Sequence, residues 1–276
     1  MHTFISSLQN QRIKQAVRLN NRRQRDLEQR TLVEGVREVS RALASGLTPY
    51  EAFYCPQIAT DPEAQQCLAR LAALADQGQT ELFEVTTAVF EKIAYRGESG
   101  GIVLVIPYLR RTLTDLPLSA APFLVVLESV EKPGNLGAIL RTADAAGVDG
   151  LIVCDAETDH GTDIHNPNVI RASLGASFTV PTVAAENGRV RAWLQDQNIP
   201  IIAATPEATR PYTAVNLTGP VAILLGSEAH GLSQTWLQAA HEQVVIPMRG
   251  QVDSLNLSVS TALLLFEVVR QRSRFP

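Results

Sequence analysis

The sequence predicts an α/β protein of two domains, the second of which is built on a largely parallel sheet. The 276 residues, 45% hydrophobic and 19% charged, can bury two cores and are too apolar for extended disorder. Short apolar runs alternate with helical patterns, as in a sheet covered by helices on both faces. One proline-containing segment interrupts this alternation. We therefore expect domains at 1–107 and 123–276, joined by a linker at 108–122.

The first domain opens with two helical patterns, at 11–28 and 34–45, and the second ends at Gly46 as a C-terminal cap would. A small α/β unit follows. Its predicted elements are the strand "AFYCP", a helix over 62–77, the strand "LFEVT", the helix "AVFEKIA" and the buried strand "GIVLVIP".

After the linker the strand and helix patterns begin again. The predicted order is strand "FLVVLESV", a helix from Leu136, strand "GLIVCD", a helix near Val169, strand "FTVPTV", a helix over 188–197, strands "PIIAAT" and "VAILLG", a helix over 234–241, strand "QVVIPM" and a long helix from Leu257.

Charge is distributed unevenly along the chain. Residues 1–41 contain nine Lys and Arg against four Asp and Glu, although the formal net charge of the whole chain is −4. Such asymmetry predicts a basic surface for a polyanion near the N-terminus. The candidate contacts are Arg12, Lys14, Arg18, Arg22 and Arg25; the alternative is an ordinary solvated helix face.

Several classes of protein are excluded by what the sequence lacks. No apolar stretch reaches membrane-spanning length, and the N-terminus has no apolar signal core, so we expect a cytoplasmic protein. The three cysteines form no C-x-x-C pair, which predicts no disulfide. His160 and His165 have no further ligands placed to complete a site, so no metal site is predicted. P-loop, G-x-G-x-x-G and G-x-S-x-G motifs are missing from the expected places.

Polar residues follow three of the predicted strands. Because parallel sheets bind ligands at the carboxyl ends of their strands, these loops are the candidate site. The first carries Asn135 and Arg141, the second Glu228 between glycines, and the third Ser254 and Asn256. An asparagine buried beside the apolar last helix would need its amide satisfied, so Asn256 is the most specific of these signals.

Simpler structural interpretations exist for the other residues. Asn135 and Ser254 could be helix caps, with Asn135 beginning the helix after the first of these strands. Arg141 could form a solvated ion pair with Asp144 three residues later. Glu228 could be a surface turn residue.

Taken together, the three loops resemble the motifs of the SPOUT class of methyltransferases, specifically the SpoU/TrmH branch of RNA ribose 2′-O-methyltransferases. "NLGAILRTA", "LLGSEAHGLS" and "IPMRGQVDSLNLSVSTAL" are similar to the three ordered motifs, and "NPNVIRASLGASF" to a further stretch. The N-terminal sequence resembles the L30e-like substrate-binding domain often fused to this catalytic domain. The resemblance covers nearly the whole chain and implies a deep trefoil knot in the second domain.

The resemblance also implies a donor and an assembly. S-adenosylmethionine would bind to backbone groups of the knotted loops, at Leu225, Gly226, Ile246, Met248, Ser254 and Leu255. A homodimer is implied, in which the first-motif arginine of one subunit reaches the site of the other.

The family assigns removal of the hydroxyl proton to the arginine matched by Arg141. Because a guanidinium is almost always protonated, we expect Arg141 instead to bind the target phosphate or ribose. Asn135 would position Arg141 or the ribose, Glu228 would hold polar groups of the site, and Asn256 would orient the nucleophile and the donor loop. The proton acceptor stays open.

The expected function is therefore S-adenosylmethionine-dependent 2′-O-methylation of ribose in RNA, with ribosomal (23S) RNA as the expected substrate. The alternatives are a transfer RNA ribose methyltransferase and a non-catalytic RNA-binding or ribosome-assembly protein of the same fold. RNA and a second copy of the chain are the expected partners, with neither membrane nor metal.

Overall fold

The structure, a computed structural model, describes residues 3–95, 99–155 and 162–273. Two compact units are present. The first comprises Met1–Leu109 with His165–Thr179, and the second comprises Arg110–Ile164 with Val180–Pro276. Each unit contains its own sheet and hydrophobic core.

Residues 165–179 belong to the first unit, although in sequence they lie inside the predicted second domain. Ile170 and Phe178 are buried in the core of the first unit. Thr31 Oγ1 donates a hydrogen bond to the carbonyl of His165 (2.7 Å), and Arg41 donates to the carbonyl of Leu174 (2.8 Å). These contacts were not predicted, because apolar periodicity does not reveal which sheet a helix packs against.

In the first unit the described strands form a five-stranded mixed sheet in the order β1-β4-β3-β5-β2, where β5 runs antiparallel to β2 and β3. The sequence analysis missed the edge strands β1 and β2. The elements are β1 (Thr3–Ile5), α1 (Gln11–Arg18), α2 (Arg22–Glu28), β2 (Arg30–Glu34), α3 (Val36–Ala44), β3 (Glu51–Tyr54), α4 (Pro62–Asp76), β4 (Glu81–Val85), α5 (Thr87–Ile93), β5 (Ile102–Pro107) and, from the later segment, α7 (Pro167–Ala172).

The predicted single helix over 11–28 is wrong, because the chain breaks between α1 and α2. Asn21 caps α2 by accepting from the backbone N–H of Arg23. Arg25 then folds back, and its guanidinium donates to the carbonyls of Leu19 and Asn20 (2.9 and 3.0 Å). These are carbonyls that the end of α1 leaves without an intrahelical partner. Arg25 is 1% exposed, so its predicted role as an RNA contact is also wrong.

In the second unit the described strands form a six-stranded sheet in the order β11-β9-β10-β6-β7-β8, and every pair is parallel. The prediction of a largely parallel sheet is confirmed. The elements are β6 (Phe123–Glu128), α6 (Pro133–Ala146), β7 (Gly150–Asp155), β8 (Thr182–Glu186), α8 (Asn187–Asp196), β9 (Ile201–Ala204), β10 (Val221–Leu225), α9 (Gln234–Ala239), β11 (Glu242–Val244) and α10 (Leu257–Arg272).

Two predicted strands of the second domain are displaced or shortened. "FTVPTV" begins as a 3₁₀ turn (Ala176–Phe178), and β8 starts only at Thr182, beyond Pro181, which has no N–H to donate to a ladder. "QVVIPM" contributes only β11, and the chain leaves the sheet before Pro247. Its remaining residues are therefore available to line a ligand cleft.

Helix α6 begins earlier than predicted. Its N-cap is Lys132, with Pro133 in the first turn, where the missing N–H of proline costs nothing. Asn135 is therefore not the helix cap, and it lies inside the first turn with its side chain available for other contacts. The helix ends at Gly147, whose φ of 68° is the left-handed conformation that glycine adopts without strain.

In the described part of the chain, none of the helices combines the length and the apolar character needed to cross a bilayer. The apolar side chains instead surround the sheets. In the second unit the buried cluster includes Leu124, Val126, Ile152, Leu224 and Trp236.

Replacing Arg25 should test whether this residue is structural. We expect Arg25→Met to lower the free energy of unfolding by about 1–3 kcal/mol, because two carbonyls lose their charged donor. Arg18→Met, at an exposed position of α1, should change it by less than about 0.5 kcal/mol. Denaturant titration followed by circular dichroism measures both, and equal effects would contradict the assignment.

Candidate active site

The three polar loops meet at the carboxyl ends of β6 and β10, where Asn135, Glu228 and Asn256 form a hydrogen-bonded hub. Oε1 of Glu228 accepts from Nδ2 of Asn135 (2.9 Å) and from Nδ2 of Asn256 (2.8 Å). Nδ2 of Asn256 also donates to Oδ1 of Asn135 (3.1 Å). Residues separated by up to 121 positions in sequence thus share one network.

Glu228 is more than a surface turn residue. Besides the two amides, its Oε1 accepts from the backbone N–H of Leu257 (3.4 Å), and its Oε2 accepts from Nζ of Lys132 (2.5 Å). The hydrogen bond from Lys132 is the main cause that lowers the pKa of Glu228, and the same bond raises the pKa of Lys132. Glu228 therefore carries its negative charge at neutral pH.

Asn256 has a second task as the N-cap of α10. Its Oδ1 accepts from the backbone N–H of Ser258 (3.0 Å) and from the Ser258 hydroxyl (2.6 Å). The expectation of a buried Asn256 is wrong, since the residue is exposed, yet its amide is satisfied on both sides. The helix cap is Asn256 and not Ser254, which lies two residues earlier in the loop.

A buried carboxylate that the sequence analysis missed holds the loop of Glu228 in place. Glu128, 5% exposed at the end of β6, accepts from the backbone N–H of Ser233 (2.7 Å) and from Nδ2 of Asn187 (2.9 Å). The signal was an acidic residue that closes the otherwise apolar strand "FLVVLE". Lys132 was missed because a lysine before Pro133 is a common surface residue.

A cleft of about 1040 Å³ opens beside the hub. Backbone and side chains of the second and third loops line it, together with residues after β9. All six residues that were predicted to hold a donor lie in its wall: Leu225, Gly226, Ile246, Met248, Ser254 and Leu255. Their placement agrees with the expected cradle, while their role stays a prediction.

Gly226 has no room for a side chain. A Cβ at this position would come within 2.2 Å of the carbonyl group of Gly231 and within 2.5 Å of the backbone N of Leu232. The close approach of these backbone segments allows the loop after β10 to fold over the edge of the cleft.

A smaller cavity of about 230 Å³ shares Glu228 with the large cleft. Its lining includes Glu131, Lys132, Asn135, Ser227 and Glu228. Glu228 and Ser227 line both cavities. The hub therefore contributes to the walls of both the large cleft and this compact polar pocket.

The structure does not bring Arg141 to this hub. The residue is exposed on α6, six positions after Asn135, which places it about 120° around the helix and about 9 Å along it. Among the described residues its guanidinium has neither a hydrogen bond nor an ion pair, so the alternative pairing with Asp144 is not observed.

The four remaining basic candidates differ in their surroundings. Arg12 pairs with Glu51 and Glu81 and lies over the ring of Phe83. Arg22 is 3.5 Å from Asp26. Lys14 and Arg18 are exposed and line a shallow groove with Lys92.

Metal chemistry finds no support among the described residues, where no three His, Cys, Asp or Glu side chains are grouped to hold an ion. His160 lies outside these residues. His165 stacks on Tyr108, with ring centroids 3.7 Å apart.

Comparison with known families identifies both parts of the chain. Residues 122–266 match the model of the SpoU rRNA methylase family, which is more than half of the sequence. The chain belongs to this family. Residues 10–104 match an MRM3-like substrate binding domain. The predicted SpoU/TrmH relationship, and the α/β fold with a separate N-terminal α/β domain, are confirmed.

Two bacterial relatives are both 23S rRNA (guanosine-2′-O-)-methyltransferases. The 23S rRNA (guanosine-2′-O-)-methyltransferase RlmB of Escherichia coli K12 is 36% identical over 216 residues, covering 76% of this chain and 87% of that protein. RlmB of Pectobacterium atrosepticum is 41% identical over 152 residues, covering 55% of this chain. That match spans 61% of the length of the Pectobacterium protein.

Solved structures match over almost the full length. A crystal structure of an RNA 2′-O ribose methyltransferase has a TM-score of 0.82 and 42% identity, with 98% of this chain and 99% of the other covered. An AdoMet-bound rRNA methyltransferase from Sinorhizobium meliloti has a TM-score of 0.86 and 28% identity, with 97% of both chains covered.

The two tasks of Asn256 can be separated by mutation. We expect Asn256→Ser to keep the helix cap, because a serine hydroxyl also accepts from the N–H groups of the first turn, while the amide donation to Glu228 is lost. Asn256→Ala removes both the cap and the donation to Glu228, and it should lower the free energy of unfolding by about 1 kcal/mol more than Asn256→Ser does. Thermal and denaturant unfolding provide the measurement; identical stabilities would show that the cap contributes nothing.

Proposed function

We propose that the protein is an S-adenosylmethionine-dependent RNA 2′-O-ribose methyltransferase that acts on 23S ribosomal RNA. One observation carries the proposal: the three family motifs converge on the Asn135–Glu228–Asn256 hub, at the edge of a cleft large enough for a nucleoside. The RNA class is inferred from the two RlmB relatives, which are 23S rRNA methyltransferases.

The large cleft is the proposed donor site. Leu225, Ile246, Met248 and Leu255 offer apolar surface to an adenine, while nearby peptide groups can hydrogen-bond its edge. Gly226 keeps the backbone close to the ligand. S-adenosylmethionine would supply an electrophilic methyl group on a positively charged sulfur, and the ionised Glu228 at the rim favours such a cation.

The compact polar pocket is the proposed entry for the target ribose. Methyl transfer requires in-line approach of the 2′-hydroxyl, so fixing both reactants supplies much of the acceleration. Glu228 binds the amides of Asn135 and Asn256 in one orientation. The asparagines are proposed to position the nucleotide sugar, and Glu228 to hold the polar network.

Arg141 is proposed to act in the site of a second subunit. It lies about 120° around α6 and about 9 Å along it from Asn135, the hub residue of the same helix. Close to it, α10 packs on α6 and exposes an apolar stripe at Val259, Leu263 and Phe266, which are 47%, 37% and 48% exposed. An exposed apolar stripe of this kind is a surface that a two-fold dimer would bury. The arginine would then bind phosphate or ribose at the partner's pocket.

Three further features complete the proposal. The segment before α10 is proposed to thread the trefoil knot of the family, which would fix the third loop against the second. Lys14 and Arg18, the exposed basic candidates of α1, are proposed to bind RNA phosphates with Arg12 and Arg22 at the margin. We also place the protein in the cytoplasm, where bacterial ribosomal RNA resides.

Gly226 provides a test of the donor cleft. Gly226→Ala should weaken S-adenosylmethionine binding at least about 10-fold, because the new Cβ displaces backbone at Gly231 and Leu232. Gly250→Ala, where a Cβ meets nothing within 4 Å, is the matched control and should bind normally. Isothermal titration calorimetry measures the S-adenosylmethionine affinity of both variants. Normal binding by Gly226→Ala would show that the donor does not bind in this cleft.

Arg141 provides the test of the reaction and of the dimer. Arg141→Ala should abolish methylation of ribosomal RNA, detected by mapping 2′-O-methyl groups, without affecting donor binding. Heterodimers of Arg141→Ala with Asn256→Ser should regain up to about half of the activity if the arginine acts across the interface, because one of their two sites then contains neither lesion. Absence of any recovery would place Arg141 in its own subunit's site.

A further inference from the structure

The two oxygens of Glu228 have different environments. Oε1 is saturated by the two asparagine amides and the N–H of Leu257. Oε2, in the part of the chain that the structure describes, has a single partner, the ammonium of Lys132 at 2.5 Å. One side of the carboxylate is thus fixed by the scaffold, while the other is covered by one flexible side chain.

Lys132 is well placed to leave Glu228. Its side chain is 69% exposed, at the N-terminal end of α6 and in the wall of the compact pocket. Exposed ion pairs are weak and exchange readily with other partners. A phosphate that entered the pocket would be attracted both by this ammonium and by the positive end of α6.

We propose that Lys132 binds a phosphate of the incoming RNA and, in turning to it, uncovers Oε2 of Glu228, which then accepts the proton of the ribose 2′-hydroxyl. This inference rests on the proposed function and names the proton acceptor that the motifs alone leave open. Lys132 acts as a phosphate ligand, and Glu228 as a catalytic residue.

The step balances with these groups. The O2′–CH₃ bond forms as the S–CH₃ bond breaks, and the electron pair of the broken bond stays on sulfur, which becomes a neutral thioether. The O2′ proton passes to Oε2 and later to water. Because the O–H becomes strongly acidic while the new bond forms, an ordinary carboxylate is basic enough to accept it.

Other ionisable groups line the two cavities that Glu228 borders. Apart from Lys132, the titratable side chains in the walls of the two cavities are Glu131, Glu207, His230 and Asp253. Of the titratable groups, Lys132 is the one whose hydrogen bond and positive charge hold the pKa of Glu228 below its usual range. Removal of Lys132 should therefore raise the pKa of Glu228.

The first experiment measures kcat/KM against pH and salt with a ribosomal RNA transcript. In Lys132→Ala the acid limb of the profile should move to higher pH, since kcat/KM reports the free enzyme. The slope of the logarithm of RNA affinity against the logarithm of salt concentration should become shallower by about one, as expected for the loss of one phosphate contact. Glu131→Gln is the matched control: it removes a carboxylate from the same pocket, so any movement of the acid limb should be to lower pH, and no phosphate contact should be lost from the salt dependence.

The second experiment replaces the proposed acceptor. Glu228→Gln keeps an oxygen for the asparagine amides but cannot take the proton, so kcat should fall about 100-fold or more while donor affinity stays within a few-fold. Glu228→Asp retains the carboxylate and should recover part of the lost rate. If Glu228→Gln turns over at the wild-type rate, or if the acid limb of Lys132→Ala does not move, the inference is overturned.

Failure of the inference can be told from failure of the proposed function. If the wild-type protein places methyl groups on ribose 2′-oxygens and Glu228→Gln does so equally well, only the role of Glu228 is lost. If the wild-type protein binds S-adenosylmethionine but methylates no RNA, the proposed function itself fails. Thermal unfolding of each variant confirms that the comparison involves folded protein.

Discussion

The hydrogen bonds that converge on Glu228 are the constraint on which the catalytic region depends. Three segments after three different strands meet at one carboxylate, and the loop after β10 that carries it is supported internally by an isolated bridge between Ser227 and Gly231 rather than by a helix or strand. The network replaces such support: Asn135 comes from the first turn of α6, Asn256 from the cap of α10, and Glu228 from the turn after β10. Charge-assisted hydrogen bonds of this kind are the stronger ones in proteins.

The parallel sheet explains why these loops can meet at all. Neighbouring strands β6 and β10 are paired in register from Val221 with Phe123 to Leu225 with Leu127, so their ends lie side by side. The buried Glu128 closes β6 and fixes the loop after β10 through Ser233. Burying a carboxylate without partners is strongly unfavourable, and the hydrogen bonds from Ser233 and Asn187 offset this cost for Glu128. Glu128 therefore supports the loop that carries Glu228.

Much of the second unit could be predicted from sequence, since alternation of apolar strands with helices reflects burial of both sheet faces. The convergence of Asn135, Glu228 and Asn256 also followed from the rule on strand ends. What could not be predicted depends on single side chains. Arg25 interrupts a helical pattern by bonding to carbonyls behind it, and the link of Lys132 to Glu228 joins positions 96 residues apart, which no local period encodes.

The position of residues 165–179 affects how this chain can be divided. Ile170 and Phe178 complete a core whose other members come from the first 109 residues. Cutting the polypeptide once, at the proline-containing stretch near residue 110, would leave those two side chains without their apolar surroundings. If the two units are to be produced separately, residues 165–179 therefore have to be redesigned with polar replacements for the exposed apolar side chains. In a gene fusion or a domain exchange within the family, this segment must be transferred together with the first unit.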